Sequence, residues 1–111
     1  MRMQFVEITP IDTVPNGYRV DGSLDMITTR DVRTFMDGVH SGPLLLDLAR
    51  VRFLDTVGLR LLVELSQRSE ERPSLVILNP SPAVKRVLRV CYPQGIPQVE
   101  VQSTSGVKSA L

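Results

Sequence analysis

The run Leu44-Leu45-Leu46-Asp47-Leu48, followed after a short link by Phe53-Leu54-Asp55-Thr56-Val57-Gly58-Leu59, predicts a strand that leads into a helix. Its first part is a continuous apolar run, which is typical of a strand buried on both faces. Its second part places two residues that favour helix caps, Asp55 and Thr56, directly before a long apolar-periodic segment. A hydroxyl beside a carboxylate at this junction lies at the positive end of a helix dipole, where a phosphate can be held or sensed.

The size and composition of the chain indicate one globular domain. We treat its 111 residues, 1–111, as a single unit, and its 42% apolar and 23% charged residues are ordinary for a folded protein. The net charge of +1 gives no reason to expect nucleic acid or an anionic membrane as partner. No apolar stretch approaches the roughly 20 residues of a membrane span. There is also no signal-peptide h-region, and the single cysteine, Cys91, cannot close an internal disulfide, so we predict a cytoplasmic protein.

Hydrophobic periodicity and turn signals predict the element order β-β-α-β-α-β-α-β. The strands are expected near 5–10, 18–21, 44–48, 75–78 and 99–101, and the helices near 28–39, 56–68 and 82–91. The segment 102–111 is rich in Ser, Thr and Gly, and we expect only partial order there. An initial strand pair followed by alternating helices and strands predicts a single α/β domain with a mixed sheet packed by helices.

The flanks of the first helix suggest how it begins. Thr28 offers an N-cap with Asp31 three positions further on, and Ile27 can pack on Val32 as a hydrophobic staple. Just before them, Gly22-Ser23-Leu24-Asp25 has the composition of a tight connection.

The sequence lacks the residue sets that catalysis or metal binding needs. The only histidine, His40, is expected at the end of the first helix, where a dipole contact or plain solvent exposure explains it. No histidine and cysteine pair has the spacing of metal ligands, and no glycine-rich phosphate-binding motif occurs. Three Phe and two Tyr are too few for a surface that stacks bases. We therefore predict a binding protein that is not an enzyme and that needs no metal and no cofactor.

Acidic residues near strand ends are the remaining candidates for chemistry. Buried pairs of carboxylates can act as acid and base, and Asp25, Asp47 and Asp55 are available. Each also has a simpler structural explanation. Asp55 fits an N-cap, Asp25 follows a glycine turn, and Asp47 alternates with leucines along a strand.

Thr56 and Gly58 each have a structural and a functional interpretation. Thr56 can simply initiate the helix, or its hydroxyl can be a phosphorylation site. Gly58 within the first helical turn lowers helix propensity by about 1 kcal/mol relative to Ala. It can therefore serve either to admit a partner's backbone or to allow a close helix–strand contact within the chain. The sequence alone leaves both pairs of alternatives open.

Three segments, in order and in register, resemble the STAS domains of the anti-sigma factor antagonists. The run 46–59 is similar to the buried strand that leads to Asp-Ser-x-Gly-Leu at the head of a helix in that family. Gly22-Ser23-Leu24-Asp25 is similar to the family's Gly-x-Leu-Asp turn, and Ser81-Pro82-Ala83-Val84-Lys85-Arg86 to its Ser-Pro-x-Val-x-Arg helix start. The similarity spans about residues 3–101.

The resemblance implies a sheet faced by helices and a regulatory role in transcription. The implied partner is an anti-sigma factor that is a GHKL-type serine/threonine kinase, and binding it would free a sigma factor. In that family the kinase phosphorylates the hydroxyl directly after the Asp, which breaks the complex. That position is Thr56 here, with Asp25 matching the turn acid near the phosphosite. The expected partner-binding residues are Asp25, Asp55, Val57, Gly58 and Arg60.

Some residues depart from the family pattern. Thr56 stands where serine is usual, Val57 where a small or hydroxylic residue is usual, and the run 91–97 also differs. These departures leave other functions possible that do not need phosphorylation of Thr56. The chain could be a STAS adaptor in another signalling assembly, a detached transporter-type module or a nucleotide-sensing module. The sequence lacks the base and the set of metal ligands that a small α/β enzyme would need. It also lacks the acidic residues after the first strand and the late lysine that a phospho-receiver domain would need.

Overall fold

The computed structural model describes residues 5–39 and 42–103 of the chain. Its elements are, in order, β1 (Val6–Pro10), β2 (Gly17–Leu24), α1 (Thr29–Asp37), β3 (Leu44–Leu54), α2 (Thr56–Ser66), β4 (Leu75–Leu78), α3 (Pro82–Cys91) and β5 (Val99–Gln102). The predicted order of strands and helices is confirmed. His40 and the segment 104–111 of the expected tail lie outside the described residues.

The strands form one mixed sheet in the order β1-β2-β3-β4-β5. β1 and β2 are antiparallel, as their short connection allows. The remaining neighbours are parallel, and a helix connects each of those pairs because parallel strands need a crossover. The predicted α/β domain with a mixed sheet is therefore confirmed.

One face of the sheet carries the hydrophobic core. Leu46 of β3 and Ile77 of β4 pair in register, and both are buried. Val32 of α1, Leu61 of α2 and Val84 of α3 belong to the same buried cluster. The helices therefore cover the same face of the sheet.

The opposite face of the sheet is polar. Asp21 of β2 pairs with Arg50 at 3.7 Å and with Arg52 at 3.0 Å, both from β3. Arg19 lies 3.7 Å from Asp47 across the same two strands. Surface pairs of this kind contribute little stability. In the predicted strand 44–48 every residue is buried except half-buried Leu45, as expected, whereas residues 49, 50, 52 and 53 further along β3 are exposed.

β3 is longer than the expected strand 44–48. It runs without a link through residues 49–54 to Leu54. Arg50 and Arg52 made this stretch look like a loop, but they project from the polar face while Val51 and Leu54 are buried. Irregularities in the β2–β3 register shift the alternation, which is why a strict period of two misses the continuation.

The expected tight connection at 22–25 is also wrong, since β2 continues through Leu24. Gly22 has a φ of 129°, and a Cβ at this position would lie 2.3 Å from the Phe5 carbonyl oxygen. The glycine therefore marks a close approach of β1 inside the sheet, which in sequence looks the same as a turn signal.

The start of α1 differs from the predicted capping box. Thr28 makes no side-chain cap, and its hydroxyl donates instead to the Ser23 carbonyl at 2.8 Å. The backbone N–H groups of Ile27 and Thr28 are both bound by the Asp25 carboxylate, so the turn already has its acceptor. The Ile27 side chain is 65% exposed and does not form the expected staple.

The remaining predicted elements match closely. Asp55 caps α2, and Ser81 caps α3 through a bond from the Val84 N–H at 3.2 Å. α2 ends at Ser66 rather than Arg68. β5 includes Gln102, which we had assigned to the tail.

Candidate functional site

The predicted site residues meet where β2 and β3 end at the same edge of the sheet. Asp25 follows β2 directly, and Asp55 and Thr56 follow β3. Leu24 and Leu54 are paired in register, so the two segments leave the sheet side by side. The site therefore consists of the turn 25–28 and the first turn of α2.

Asp55 joins these two segments. Its Oδ1 accepts from the Gly58 N–H at 2.8 Å, which caps α2, and its Oδ2 accepts from the Met26 N–H at 3.2 Å. Its own N–H donates to the Leu24 carbonyl at 3.2 Å. One carboxylate thus satisfies a donor at the helix N-terminus and also holds the neighbouring turn.

Asp25 organises the turn itself. Its Oδ1 accepts from the N–H groups of Ile27 at 2.9 Å and Thr28 at 3.0 Å, while the Thr28 hydroxyl accepts from the Asp25 N–H at 3.1 Å. Asp25 therefore binds backbone donors in the turn before α1, whereas Asp55 binds one donor in that turn and one at the start of α2. The structural interpretation of each is what the geometry shows.

Thr56 is the first residue of α2, and its side chain is exposed. The cap is supplied by Asp55, so the Thr56 hydroxyl is not needed to begin the helix. Beside it, Val57 is half-buried and Arg60 is exposed one turn further along. Thr56 is thus an exposed residue at the positive end of a helix of 11 residues.

Gly58 is buried beneath this surface. A Cβ at this position would lie 2.1 Å from the Leu24 carbonyl oxygen and 2.8 Å from the Leu54 side chain. The space that the glycine opens is filled by the end of β2. Of the two explanations that the sequence left open, the close helix–strand contact is the one the structure displays.

Exposed apolar side chains surround the site, and sequence reasoning missed them. Met26 is 74% exposed and Ile27 65% exposed in the turn, and Phe53 is 53% exposed near the end of β3. We expected Ile27 to be buried in a staple. The missed signal is that Met26 and Ile27 follow Asp25, whose turn directs them away from the core.

The geometry keeps Asp47 and Asp55, the acids of the small-enzyme alternative, apart. Asp47 and Asp55 are separated by eight positions of an extended chain, about 25 Å at the rise of a strand. Asp47 instead accepts from the Ala49 N–H at 3.0 Å on the polar face. Within 5–39 and 42–103, no group of His, Cys, Asp and Glu could hold a metal ion. Over the same residues, no helix is long and apolar enough to cross a bilayer.

The comparison with protein families decides the assignment. Residues 14–92 match the family model described as "Mlab, STAS domain", which covers most of the chain. The chain belongs to the STAS domain family. No curated protein matches it. STAS domains are in general regulatory, protein-binding domains rather than enzymes, and the matched range of this STAS domain includes Asp25, Asp55 and Thr56.

The contact beneath the site predicts a specific cost for adding one methyl group. Gly58→Ala should lower the free energy of unfolding by about 2–3 kcal/mol, because the new Cβ overlaps strand backbone that cannot easily move. Gly38→Ala is the matched control, since its Cβ would have only an ordinary contact at 3.5 Å and should change stability by less than about 0.5 kcal/mol. Urea denaturation measures both, and equal stability of the two variants would refute the contact.

The double role of Asp55 predicts selective loosening of the turn. Asn caps helices as well as Asp does. Its side chain has a single, neutral carbonyl oxygen, however, which cannot accept from the Gly58 and Met26 N–H groups as the two carboxylate oxygens of Asp55 do. In Asp55→Asn, exchange of the Met26 amide hydrogen should accelerate about tenfold, while the Gly58 amide changes by less than about twofold. NMR hydrogen exchange measures both amides, with the exposed Asp31→Asn as control. An unchanged Met26 amide would contradict the bridging role.

Proposed function

We propose that this STAS domain is an anti-sigma factor antagonist that docks a GHKL-type anti-sigma kinase on the surface around Thr56. Phosphorylation of Thr56 then releases the partner. The observation that carries the proposal is the exposed hydroxyl at the first position of α2, next to the exposed side chains of Met26 and Ile27. The kinase can reach the hydroxyl without unfolding any element, because Asp55 rather than Thr56 caps the helix.

The proposed docking area, which we call the Thr56 surface, combines apolar anchors with a polar rim. It consists of Met26, Ile27, Phe53, Thr56 and Arg60. Large apolar side chains that remain more than half exposed are the usual anchors of a protein interface. Burying them against a partner supplies the affinity, and Thr56 at their centre is desolvated in the complex.

Phosphorylation would oppose docking through charge. The phosphate adds about −1.5 to −2 charges beside Asp55. The Asp55 carboxylate is fixed by the Gly58 and Met26 N–H groups and therefore cannot turn away. In the free domain, the helix dipole stabilises the negative charge of the phosphate, which remains hydrated. Within an apolar interface the same charge loses its hydration without compensation, so the complex weakens while the free fold persists.

A second candidate function is a STAS adaptor in another assembly that works without phosphorylation. The description of the matching family names Mlab rather than an anti-sigma factor antagonist. The half-buried, β-branched Val57 beside Thr56 also departs from the antagonist pattern. Such an adaptor would use the same Thr56 surface, and its partner would not transfer phosphate to it.

The apolar anchors predict where binding energy lies. We expect Ile27→Ser to weaken capture of the partner about tenfold, because an exposed anchor can be lost without a change in the core. Val90→Ser is the matched control, since Val90 is 75% exposed on α3, away from the Thr56 surface. Pull-down from cell extract, followed by titration of the recovered partner, measures both. An equal loss of affinity in the two variants would show that the Thr56 surface is not part of the interface.

The switch predicts opposite behaviour for two substitutions at Thr56. Thr56→Ala should keep binding and accept no phosphate, whereas Thr56→Glu should weaken binding about tenfold or more because it adds a charge to the interface. Incubating the recovered kinase with ATP and mapping the phosphate tests the site directly. Recovery of a partner that leaves Thr56 unmodified would favour the adaptor. Binding of Thr56→Glu as tight as that of the unsubstituted chain would refute the switch.

A further inference from the structure

A groove of about 320 Å³ lies between α3 and β5, on the side of the sheet farthest from β1. We call it the α3–β5 groove. Its apolar lining includes Leu88, Tyr92, Ile96, Val99 and Val101. Several of these residues follow position 92, where the family match ends, so the groove depends on residues outside the matched range.

The groove exists because α3 covers only part of the core face. Ile77 of β4 is buried, but its register partner Val101 on the edge strand is 52% exposed. The turn after α3 brings Ile96 back to close the floor, where it is buried. An apolar strip on the core-facing side of the sheet is thus left open between α3 and β5.

Two cations border this apolar strip. Lys85 and Arg89 both line the groove and are one helical turn apart, about 6 Å along α3. No ion pair joins either of them to a carboxylate among residues 5–39 and 42–103, and no acidic residue lines the groove. Half-buried Tyr92 also lines the groove, and its hydroxyl is a possible hydrogen-bond donor. The groove therefore offers an apolar floor and positive charge without a described anionic partner.

The size of the groove favours a small ligand over a protein. A stable protein interface buries on the order of 1,200 Å² or more, whereas this groove involves one short strand, one helix and the turn between them. Its volume lies at the lower end of the roughly 300–1,000 Å³ typical of small-molecule sites, which are mostly apolar with a few placed polar groups.

We propose that the α3–β5 groove binds a small anionic amphiphile, a medium-chain carboxylate whose alkyl chain lies along Leu88, Ile96 and Val101. Its carboxylate is held by Lys85 and Arg89. The groove has its positive charge and its apolar surface in separate places, as the ligand has its carboxylate and its alkyl chain. Both parts of the ligand can therefore be bound at the same time. The site is separate from the Thr56 surface, because β4 lies between β3, which carries Phe53 of that surface, and β5.

Decanoate, added to the full-length chain below its micelle-forming concentration, is the probe. We expect saturable NMR shift changes centred on Leu88, Ile96 and Val101. Decyltrimethylammonium, with the same chain length and the opposite charge, should bind at least tenfold more weakly. Lys85→Gln combined with Arg89→Gln should weaken decanoate binding about tenfold or more, since charge-assisted hydrogen bonds are lost. Arg86→Gln is the matched control, because Arg86 is an exposed cation of α3 outside the groove.

Val101→Asp provides a test that does not depend on removing a cation. The side chain is already 52% exposed, so the fold should persist, while a carboxylate in the groove should abolish decanoate binding. Shift changes scattered over the surface, or equal weakening by Arg86→Gln, would overturn the proposal. So would NMR contacts in the free chain between side chains of 104–111 and Leu88, which would assign the groove to the chain's own C-terminal segment.

Discussion

The edge of the sheet that carries the candidate site depends on the hydrogen bonds of the Asp55 carboxylate. This carboxylate satisfies the Gly58 N–H at the start of α2 and the Met26 N–H in the adjacent turn, so two segments far apart in sequence share one acceptor. This arrangement requires the helix to lie close against β2, and the absence of a Cβ at Gly58 makes that approach possible. Because the acid does the capping, the hydroxyl of Thr56 is not needed to begin the helix, and the residue is exposed.

The one-sided packing of the sheet explains where the exposed features lie. The helices α1, α2 and α3 cover one face, and the opposite face carries exposed ion pairs that contribute little stability. Exposed apolar surface includes the turn that carries Met26 and Ile27, and the strip that α3 leaves open beside β5. We propose that the first meets a protein partner and that the second binds a small ligand.

Much of the fold could be predicted from the sequence, because local signals and tertiary structure agree at most elements. The caps Asp55 and Ser81 were predictable, since cap residues stood directly before apolar-periodic runs. The strand 49–54 was not, because bulges shift its alternation and one face is solvated. Thr28 and Ile27 were misassigned for a related reason: a neighbouring Asp side chain, not a helix-local rule, determines their turn. At the candidate site, the sequence pointed to Asp25, Asp55 and Thr56, which the fold places at one edge of the sheet, but the exposure of Met26, Ile27 and Phe53 was not predictable, since exposure is a tertiary property.

We propose that a partner covers the edge formed by the turn 25–28 and the start of α2. Hydrogen exchange of the full-length chain, bound and free, measured residue by residue with its recovered partner, tests it most directly. The account predicts protection of amides in 25–28 and 53–60 on binding, and loss of that protection once the complex has been incubated with ATP. Protection confined to α3 and β5, with the turn 25–28 exchanging as in the free chain, would contradict it.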